Sequence, residues 1–275
     1  MQQLHLICFF VLFTVFSGIG QITEEVNIND SLSVTQNDSS AQLEDYDDIG
    51  VLYRFEKTFG LIAHSNGFGF NFRKGKHITG YSKRILELEF VTMKHPKEYK
   101  VYNPARENAK GYIYGKLNSA IIIRPTIGFQ GVINSKADKA GVEVRYIMQG
   151  GGSMCLLKPV YLDVLEEVKG TGEYRVVTEQ YDPAHHFTYN IYGKAPYLQG
   201  IAQTTIAPGA FGKFGLSFEY GKEPKKIKSI ETGISLDLYF QTVPIMADID
   251  LNDAMDSNNR FFLSFYLSIN YGKKW

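Results

Sequence analysis

Cysteine is scarce in this sequence, which has two cysteines among 275 residues. Cys8 lies in an N-terminal apolar run typical of a secretory signal, and cleavage of that run would leave Cys155 as the single thiol of the mature chain. One thiol cannot form an internal disulfide bond. The stability of the exported chain must therefore come from backbone pairing and packing.

Long apolar runs are also missing. Residues 6–16 form an apolar run broken only by Thr14, and the small residues SGIG follow it. This run is too short to cross the roughly 30 Å hydrocarbon layer of a bilayer as a helix. We interpret residues 1–20 as a signal peptide that is cleaved near Gln21. No later run reaches the roughly 18 apolar residues that a spanning helix needs, so only a β-barrel could cross a membrane.

Basic residues are absent from residues 21–50, which contain eight Asp or Glu. The segment is polar and has no usable periodicity, so we predict a disordered acidic leader in the periplasm. Because the whole chain has 29 basic and 29 acidic residues, residues 51–275 are net basic. This change in composition separates the leader from one folded domain, residues 51–275.

The last stretch, residues 261–275, alternates between apolar and polar residues. The apolar positions are Phe261, Leu263, Phe265, Leu267, Ile269 and Tyr271, and Ser264, Ser268 and Asn270 stand between them. One face of such a strand meets an apolar phase and the other a polar one. The length and the aromatic content are typical of a strand in a membrane barrel. The ending on Trp275 resembles the C-terminal strand of bacterial outer-membrane barrels, which finishes on an aromatic residue.

Seven other segments alternate in the same way, and no segment of useful length has the period of a helix. We predict strands at residues 55–64, 67–77, 82–93, 115–133, 142–157, 212–221, 230–240 and 261–275. The predicted fold class is all-β, an antiparallel up-and-down transmembrane β-barrel of about eight strands. Partial strand signals occur at residues 173–177 and 188–192. If these two segments form a hairpin of their own, the barrel would have ten strands.

The connections between the predicted strands alternate in length. Long polar connections occupy residues 94–114, 158–208 and 242–260, and short turns rich in Lys lie between them. Bacterial barrels have short periplasmic turns and long external loops. We therefore expect an outer-membrane protein with its long connections at the cell surface and both termini in the periplasm.

Three segments carry a resemblance to a known group of proteins. They are GGGSMCLLKPVYL at residues 150–162, AFGKFGLSFEYG at residues 210–221, and FFLSFYLSINYGKKW at residues 261–275. Over roughly residues 55–275 the chain resembles the small outer-membrane β-barrel proteins of Bacteroidota, which are grouped as porin-family or PorT-like barrels. The resemblance implies a barrel in the outer membrane and carries no catalytic motif.

Charged residues of both signs occupy inward positions of the predicted strands. They are Arg73, Glu87, Glu89, Arg124, Glu143, Arg145, Glu219, Glu231 and Asp237. They would form either a charged conduit or a plug of ion pairs. An eight-stranded barrel is only just wide enough for its own side chains, and buried charges must be paired. We therefore favour the plug.

The longest connection contains Asp182, His185 and His186, a combination that could bind a metal ion or include a general base. Neighbouring residues of an extended chain point to opposite sides, so the two histidines are poorly placed to share one ion. No metalloprotease or nucleophile-elbow motif accompanies them. We expect a solvated loop, and we assign no catalytic, cofactor-binding or metal-binding residue.

The function that follows is structural or accessory. We predict a component of the cell envelope, and the PorT-like resemblance would make it a subunit of a secretion or assembly complex. The alternatives are a narrow porin and an enzyme that modifies lipid of the outer leaflet, although we do not expect an enzyme. The expected partners are outer-membrane lipid and other envelope proteins, bound through the long surface loops or the periplasmic leader, and not nucleic acid.

Overall fold

The computed structural model describes residues 53–105, 109–136, 141–168, 172–247 and 258–275. The predicted signal peptide, residues 1–20, and the predicted leader, residues 21–50, lie outside these ranges. Within them, the regular elements are β-strands and one short 3-10 helix, Ile201–Gln203. No helix in this described part is long and apolar enough to cross a membrane.

Thirteen strands are present in the described residues. They are β1 (Phe55–His64), β2 (Gly67–His77), β3 (Ser82–Met93), β4 (Lys100–Val101), β5 (Tyr112–Ile113), β6 (Asn118–Asn134), β7 (Glu143–Pro159), β8 (Tyr161–Glu167), β9 (Tyr174–Gln180), β10 (Ile191–Lys194), β11 (Thr205–Glu219), β12 (Lys226–Tyr239) and β13 (Phe261–Lys274). Eight of them close into an antiparallel barrel in the order β1, β13, β12, β11, β7, β6, β3 and β2. The predicted fold class is confirmed, with eight strands in the barrel.

The alternation along each strand sorts side chains between the outside and the lumen. In β13, Leu263, Phe265 and Leu267 are exposed on the outside, whereas Ser264 and Ser268 are buried inside. The same pattern on the other strands produces an outer apolar belt. Its members include Phe59, Leu61, Phe68, Phe70, Phe72, Ile127, Phe129, Met148, Phe214, Ile230, Ile234, Leu263, Phe265, Leu267 and Ile269.

Four barrel strands begin at residues other than the predicted ones, and two of them, β7 and β12, begin at Glu143 and Lys226 instead of residues 142 and 230. β6 begins at Asn118 instead of residue 115, because the backbone amides of Leu117 and Asn118 donate to the carbonyl of Ile245 rather than to a barrel strand. β11 begins at Thr205 instead of residue 212 and pairs with β7 from there. Pro208 and Gly209 interrupt the apolar alternation at the start of β11, which explains the late predicted start.

The long connections all leave the same end of the barrel. They join β3 to β6, β7 to β11 and β12 to β13, whereas the short turns that follow β2, β6 and β11 lie at the opposite end. Phe55 and Trp275 meet at the short-turn end through two backbone hydrogen bonds of 2.9 Å. The predicted alternation of long and short connections is therefore present in the barrel.

A small separate sheet forms within the connection from β7 to β11. β8 lies between β9 and β10 in this sheet, and β4 pairs with β5 in a second small ladder. Tyr112 of β5 packs with Leu162 of β8 and Ile191 of β10 in one buried apolar cluster. The two partial strand signals thus correspond to β9 and β10, but these strands pair with β8 and add nothing to the barrel.

The lumen at the long-loop end is filled by apolar side chains. Val243, Ile245 and Met246, here called the apolar plug, come from the connection between β12 and β13. They pack against lumen-facing residues of the barrel wall, namely Val91, Met93, Ala120, Ile122, Cys155, Leu157, Ala207 and Tyr239. Ile245 is 1% exposed, and its carbonyl accepts a 2.9 Å hydrogen bond from the amide of Leu117.

Candidate functional site

The candidate functional site is a layer of charged side chains across the middle of the lumen. Because alternate residues of a strand point to opposite faces, five strands each direct one or two charged groups inward at this level. All of these side chains are buried, and we call them the central network. Its members are Arg73 of β2, Glu87 and Glu89 of β3, Arg124 of β6, Lys213 of β11, and Glu231 and Asp237 of β12.

Lys213 lies at the meeting point of three carboxylates. Its Nζ donates to Glu89 Oε1 at 2.5 Å and to Glu87 Oε1 at 3.1 Å, and it lies 3.4 Å from Glu231 Oε1. Arg73 bridges two of the same carboxylates, through Nε to Glu87 Oε2 at 2.7 Å and through Nη2 to Glu231 Oε2 at 2.9 Å. The two cations thus link the wall at β3 to the wall at β12.

Arg124 forms the other half of the network. Its Nη2 donates to Asp237 Oδ2 at 2.6 Å, its Nε to Asp237 Oδ1 at 3.1 Å, and its Nη1 to Glu89 Oε2 at 3.2 Å. The guanidinium carbon lies 4.5 Å from the ring centroid of Phe211. Ser153 Oγ donates to Asp237 Oδ1 at 2.8 Å. A two-point arginine–carboxylate contact of this kind is stronger and more directional than a single ion pair.

Neutral polar groups complete the hydrogen bonding of the carboxylates. Asn71 Nδ2 and Gln149 Nε2 each donate to Glu87 at 2.6 Å, and the hydroxyl of Tyr266 donates to Glu231 Oε1 at 3.1 Å. Ionised groups inside a protein are tolerated when they are both paired and hydrogen-bonded. The central network meets that requirement, so removing one of its three cations leaves its buried carboxylates with less compensating charge.

The central network leaves little room for a solute path. Three cationic and four carboxylate side chains meet here, and an eight-stranded barrel is just wide enough for its side chains to fill it. Elsewhere on the lumen wall, a methyl group added at Gly60 would collide with the amide oxygens of Asn71 and Asn270. With the apolar plug above it, the network obstructs the lumen at two levels.

A second set of ion pairs lies at the short-turn end of the lumen. Lys83 Nζ lies 2.6 Å from Glu56 Oε1, and His77 Nε2 lies 3.4 Å from Glu56 Oε2. Lys274 Nζ donates to Glu219 Oε1 at 2.6 Å. These contacts are separate from the central network and close the barrel near its first and last strands.

The structure divides the predicted lumen charges into two groups. Those in the central network are Arg73, Glu87, Glu89, Arg124, Glu231 and Asp237. Glu143, Arg145 and Glu219 lie at the short-turn end instead. Arg145 pairs with Glu143, two residues away on the same strand.

Sequence reasoning missed three charged residues of the lumen, the lysines Lys213 and Lys83 and the glutamate Glu56. Lys213 was detectable, because it has the same parity as the inward Gly215, Ser217 and Glu219 of β11. Glu56 lies at the second position of β1, the strand with the weakest alternation signal, and Lys83 at the second position of β3.

The two loop histidines both contact Asp182, but through different groups: His185 meets its carboxylate, and His186 Nδ1 accepts a 2.9 Å hydrogen bond from the backbone amide of Asp182. His185 Nδ1 lies 2.7 Å from Asp182 Oδ2, and this hydrogen bond is the main reason that the pKa of Asp182 is below its ordinary value. His186 Nε2 lies 3.3 Å from Glu179. His186 is 4% exposed, so the expectation of a wholly solvated loop is wrong for this residue. In the described ranges, no group of three or more His, Cys, Asp or Glu could hold a metal ion.

Comparison with known proteins finds no family model that matches this sequence. No curated protein sequence matches it either. Among solved structures, the chain is similar to Neisserial surface protein A, with a TM-score of 0.36 and 10% identity over 80% of this chain and 96% of that one. It is also similar to Ail, the attachment invasion locus protein of Yersinia pestis. The complex of Ail with the heparin analogue sucrose octasulfate has a TM-score of 0.35 and 7% identity over 80% and 96% of the two chains.

Proposed function

We propose that this chain is an outer-membrane β-barrel that is closed to solutes and has a structural or accessory role in the cell envelope. In this proposal the long-loop end faces the cell exterior and the termini face the periplasm. The barrel anchors the protein, and the folded connections at its outer end make contacts with other envelope components.

The outer apolar belt supports the membrane location. Contiguous exposed apolar surface of this extent is rare on soluble proteins and marks a membrane or a partner. Aromatic side chains are exposed at both ends of the belt, as in the aromatic girdles of membrane barrels. Phe55, Tyr220, Tyr271 and Trp275 lie at the short-turn end, and Phe240 and Phe261 lie at the long-loop end.

The observation that carries the closed-barrel proposal is the cross-linked centre of the lumen. Glu87 accepts hydrogen bonds from Asn71, Arg73, Gln149 and Lys213, which come from three different strands, β2, β7 and β11. A solvated pore would leave these groups in contact with water rather than with one another. A narrow porin is the first alternative. For a solute to pass, the hydrogen bonds and ion pairs of the central network would have to break.

The folded connections support the accessory role. The sheet of β8, β9 and β10 packs with β5 around a buried apolar core, so this connection presents a defined surface. The PorT-like resemblance of the strands suggests that the partner of this surface belongs to a secretion or assembly complex. An enzyme acting on outer-leaflet lipid is the second alternative.

The proposal is tested by isolating the protein from native outer membranes in mild detergent. We expect it to fractionate with the outer membrane, to show heat-modifiable migration, and to bring down at least one envelope protein. A matched variant with residues 172–180 replaced by a Gly–Ser linker removes β9 and should keep heat modifiability while losing that partner.

Two results would contradict the proposal. Fractionation with soluble protein would refute the membrane location. A mass shift in lipid A on overexpression, without any recovered partner, would favour the lipid-modifying enzyme over the accessory role.

A further inference from the structure

A lysine-lined cleft of about 400 Å³ lies on the outer side of the barrel wall at the long-loop end. Its floor includes Ser119 of β6 and Lys158 of β7, which are register partners. Both residues have the parity of Ile121 and Leu156, which are also register partners and point outward. With a rise of about 3.3 Å per residue, the cleft lies roughly 7 Å beyond that apolar pair.

Four lysines line this cleft, and no carboxylate does. They are Lys100, Lys116, Lys158 and Lys194. Lys116 pairs with Glu98 at 2.7 Å. None of the other three forms an ion pair with a carboxylate among the residues that the structure describes. The cleft is therefore a concentration of positive charge that the described part of the protein neutralises at Lys116 alone.

Of the four lysines, Lys158 is buried without a carboxylate partner among the described residues. Its side chain is buried, with 8% of the residue exposed. Within the described residues, its Nζ donates to two backbone carbonyls, Gln199 at 3.3 Å and Pro159 at 3.5 Å, and lies 4.7 Å from the ring centroid of Tyr197. A buried ammonium group normally has a negative partner. An anion in the cleft would supply that partner.

The rim of the cleft is apolar on the side of the loop that contains the 3-10 helix. Tyr197 lines the cleft, and Leu198 and Ile201 beside it are 71% and 59% exposed. Below the floor the outer apolar belt begins. The lysines lie next to exposed apolar surface at the edge of the belt. A lipid has the same arrangement, because its charged phosphate lies next to its apolar acyl chains.

We propose that this cleft binds the phosphate group of an outer-leaflet lipid, with the four lysines around the phosphate and the acyl chains along Leu198, Ile201 and the belt. Lysine ammonium groups bind phosphate as point charges, and several can share one group. The inference rests on the proposed membrane location, because the cleft meets lipid only if the belt spans a bilayer. It assigns to the protein a lipid ligand that its fold alone does not require.

The test is a lipid titration of the full chain, folded in neutral detergent and followed by native mass spectrometry. The probes are phosphatidic acid and phosphatidylcholine with the same acyl chains. We expect a Kd for phosphatidic acid at least about tenfold lower than that for phosphatidylcholine. The double variant Lys100→Gln/Lys194→Gln changes two exposed lysines of the cleft and should remove most of this difference.

The matched control is Lys222→Gln/Lys225→Gln, which removes two exposed lysines from the turn at the opposite end. It should keep the preference of the wild-type protein. Equal Kd values for the two lipids, or equal losses in both double variants, would overturn the proposed site. Inorganic phosphate that binds as tightly as phosphatidic acid would identify a soluble ligand and overturn the lipid assignment.

Heat-modifiable migration of each variant separates this inference from the proposed function. A wild-type protein that folds and inserts into bilayers but does not prefer phosphatidic acid refutes the cleft site and leaves the membrane barrel intact. A wild-type protein that fails to insert refutes both.

Discussion

Arg124 and Asp237 are joined across the lumen by two hydrogen bonds, from Nη2 to Oδ2 at 2.6 Å and from Nε to Oδ1 at 3.1 Å. They are 113 residues apart in the sequence and belong to β6 and β12, which are not neighbours in the barrel. Both side chains are buried. This pair therefore ties two distant parts of the wall together through the interior.

Replacement of Arg124 by Ala should lower the free energy of unfolding by about 3–5 kcal/mol, because it leaves Asp237 buried without its cation. Urea unfolding in detergent micelles, followed by the fluorescence of the single tryptophan, Trp275, measures the loss. The control is Arg175→Ala, which breaks an exposed ion pair with Glu166 and should cost about 0–1 kcal/mol. Equal losses for the two variants would contradict the buried network.

Lys213 is predicted to be the cation on which the network depends most, because it contacts three carboxylates. Lys213→Met should destabilise the barrel by about 3–5 kcal/mol. Lys226 forms a surface ion pair with Glu223, so Lys226→Met should have little effect. Adding Glu89→Gln to Lys213→Met should restore part of the loss, since it removes the charge of one of the carboxylates that lost a cation, leaving Arg124 to Asp237. A double variant no more stable than Lys213→Met would argue against this charge balance.

If the outer apolar belt spans a bilayer, the free-energy cost of an arginine on the belt should depend on its depth in the membrane. Leu267 lies in the middle of β13 and is exposed, so Leu267→Arg should oppose membrane assembly by about 2–4 kcal/mol. Tyr271→Arg, at the short-turn end of the same strand, should cost about 0–1 kcal/mol because its side chain reaches the interface. Folding into liposomes of neutral lipid, assayed by heat modifiability, compares the two. A penalty that does not depend on position would be inconsistent with a spanning belt.

The apolar plug should contribute to stability as a packed core does. Ile245 is 1% exposed among lumen-facing apolar residues, so Ile245→Ala should lower the free energy of unfolding by about 2–5 kcal/mol. Ile201→Ala provides a control at an exposed site in a loop. Unfolding by urea gives both values. If Ile245→Ala behaves like Ile201→Ala, the segment does not pack inside the lumen.

Much of the barrel could be predicted from the sequence because alternation is a local property. Leu263, Phe265 and Leu267 differ from Ser264 and Ser268 within one strand, and that contrast is enough to assign their faces. The ends of the strands were harder. At residues 120–123, Ala-Ile-Ile-Ile is apolar on both faces, because Ile122 meets the apolar plug inside while Ile121 and Ile123 face outward.

The pairing of charges could not be predicted, because it depends on the register of the whole barrel. Arg124 reaches Asp237 only when the strands between β6 and β12 have their observed offsets. Arg145 pairs with Glu143, which lies two residues away on its own strand. The small sheet of β8, β9 and β10 was also missed as a unit, because its core includes Tyr112 from a different connection.

The most direct test of the closed barrel is single-channel recording of the wild-type protein in a planar bilayer, after heat modifiability has verified that it is folded. The central network and the apolar plug obstruct the lumen, so the account predicts a stable baseline without steady conductance steps. Lys213→Met, if it still folds, should produce noisier current than the wild-type protein. Reproducible ion-selective steps from the folded wild-type protein would contradict the account and identify a porin.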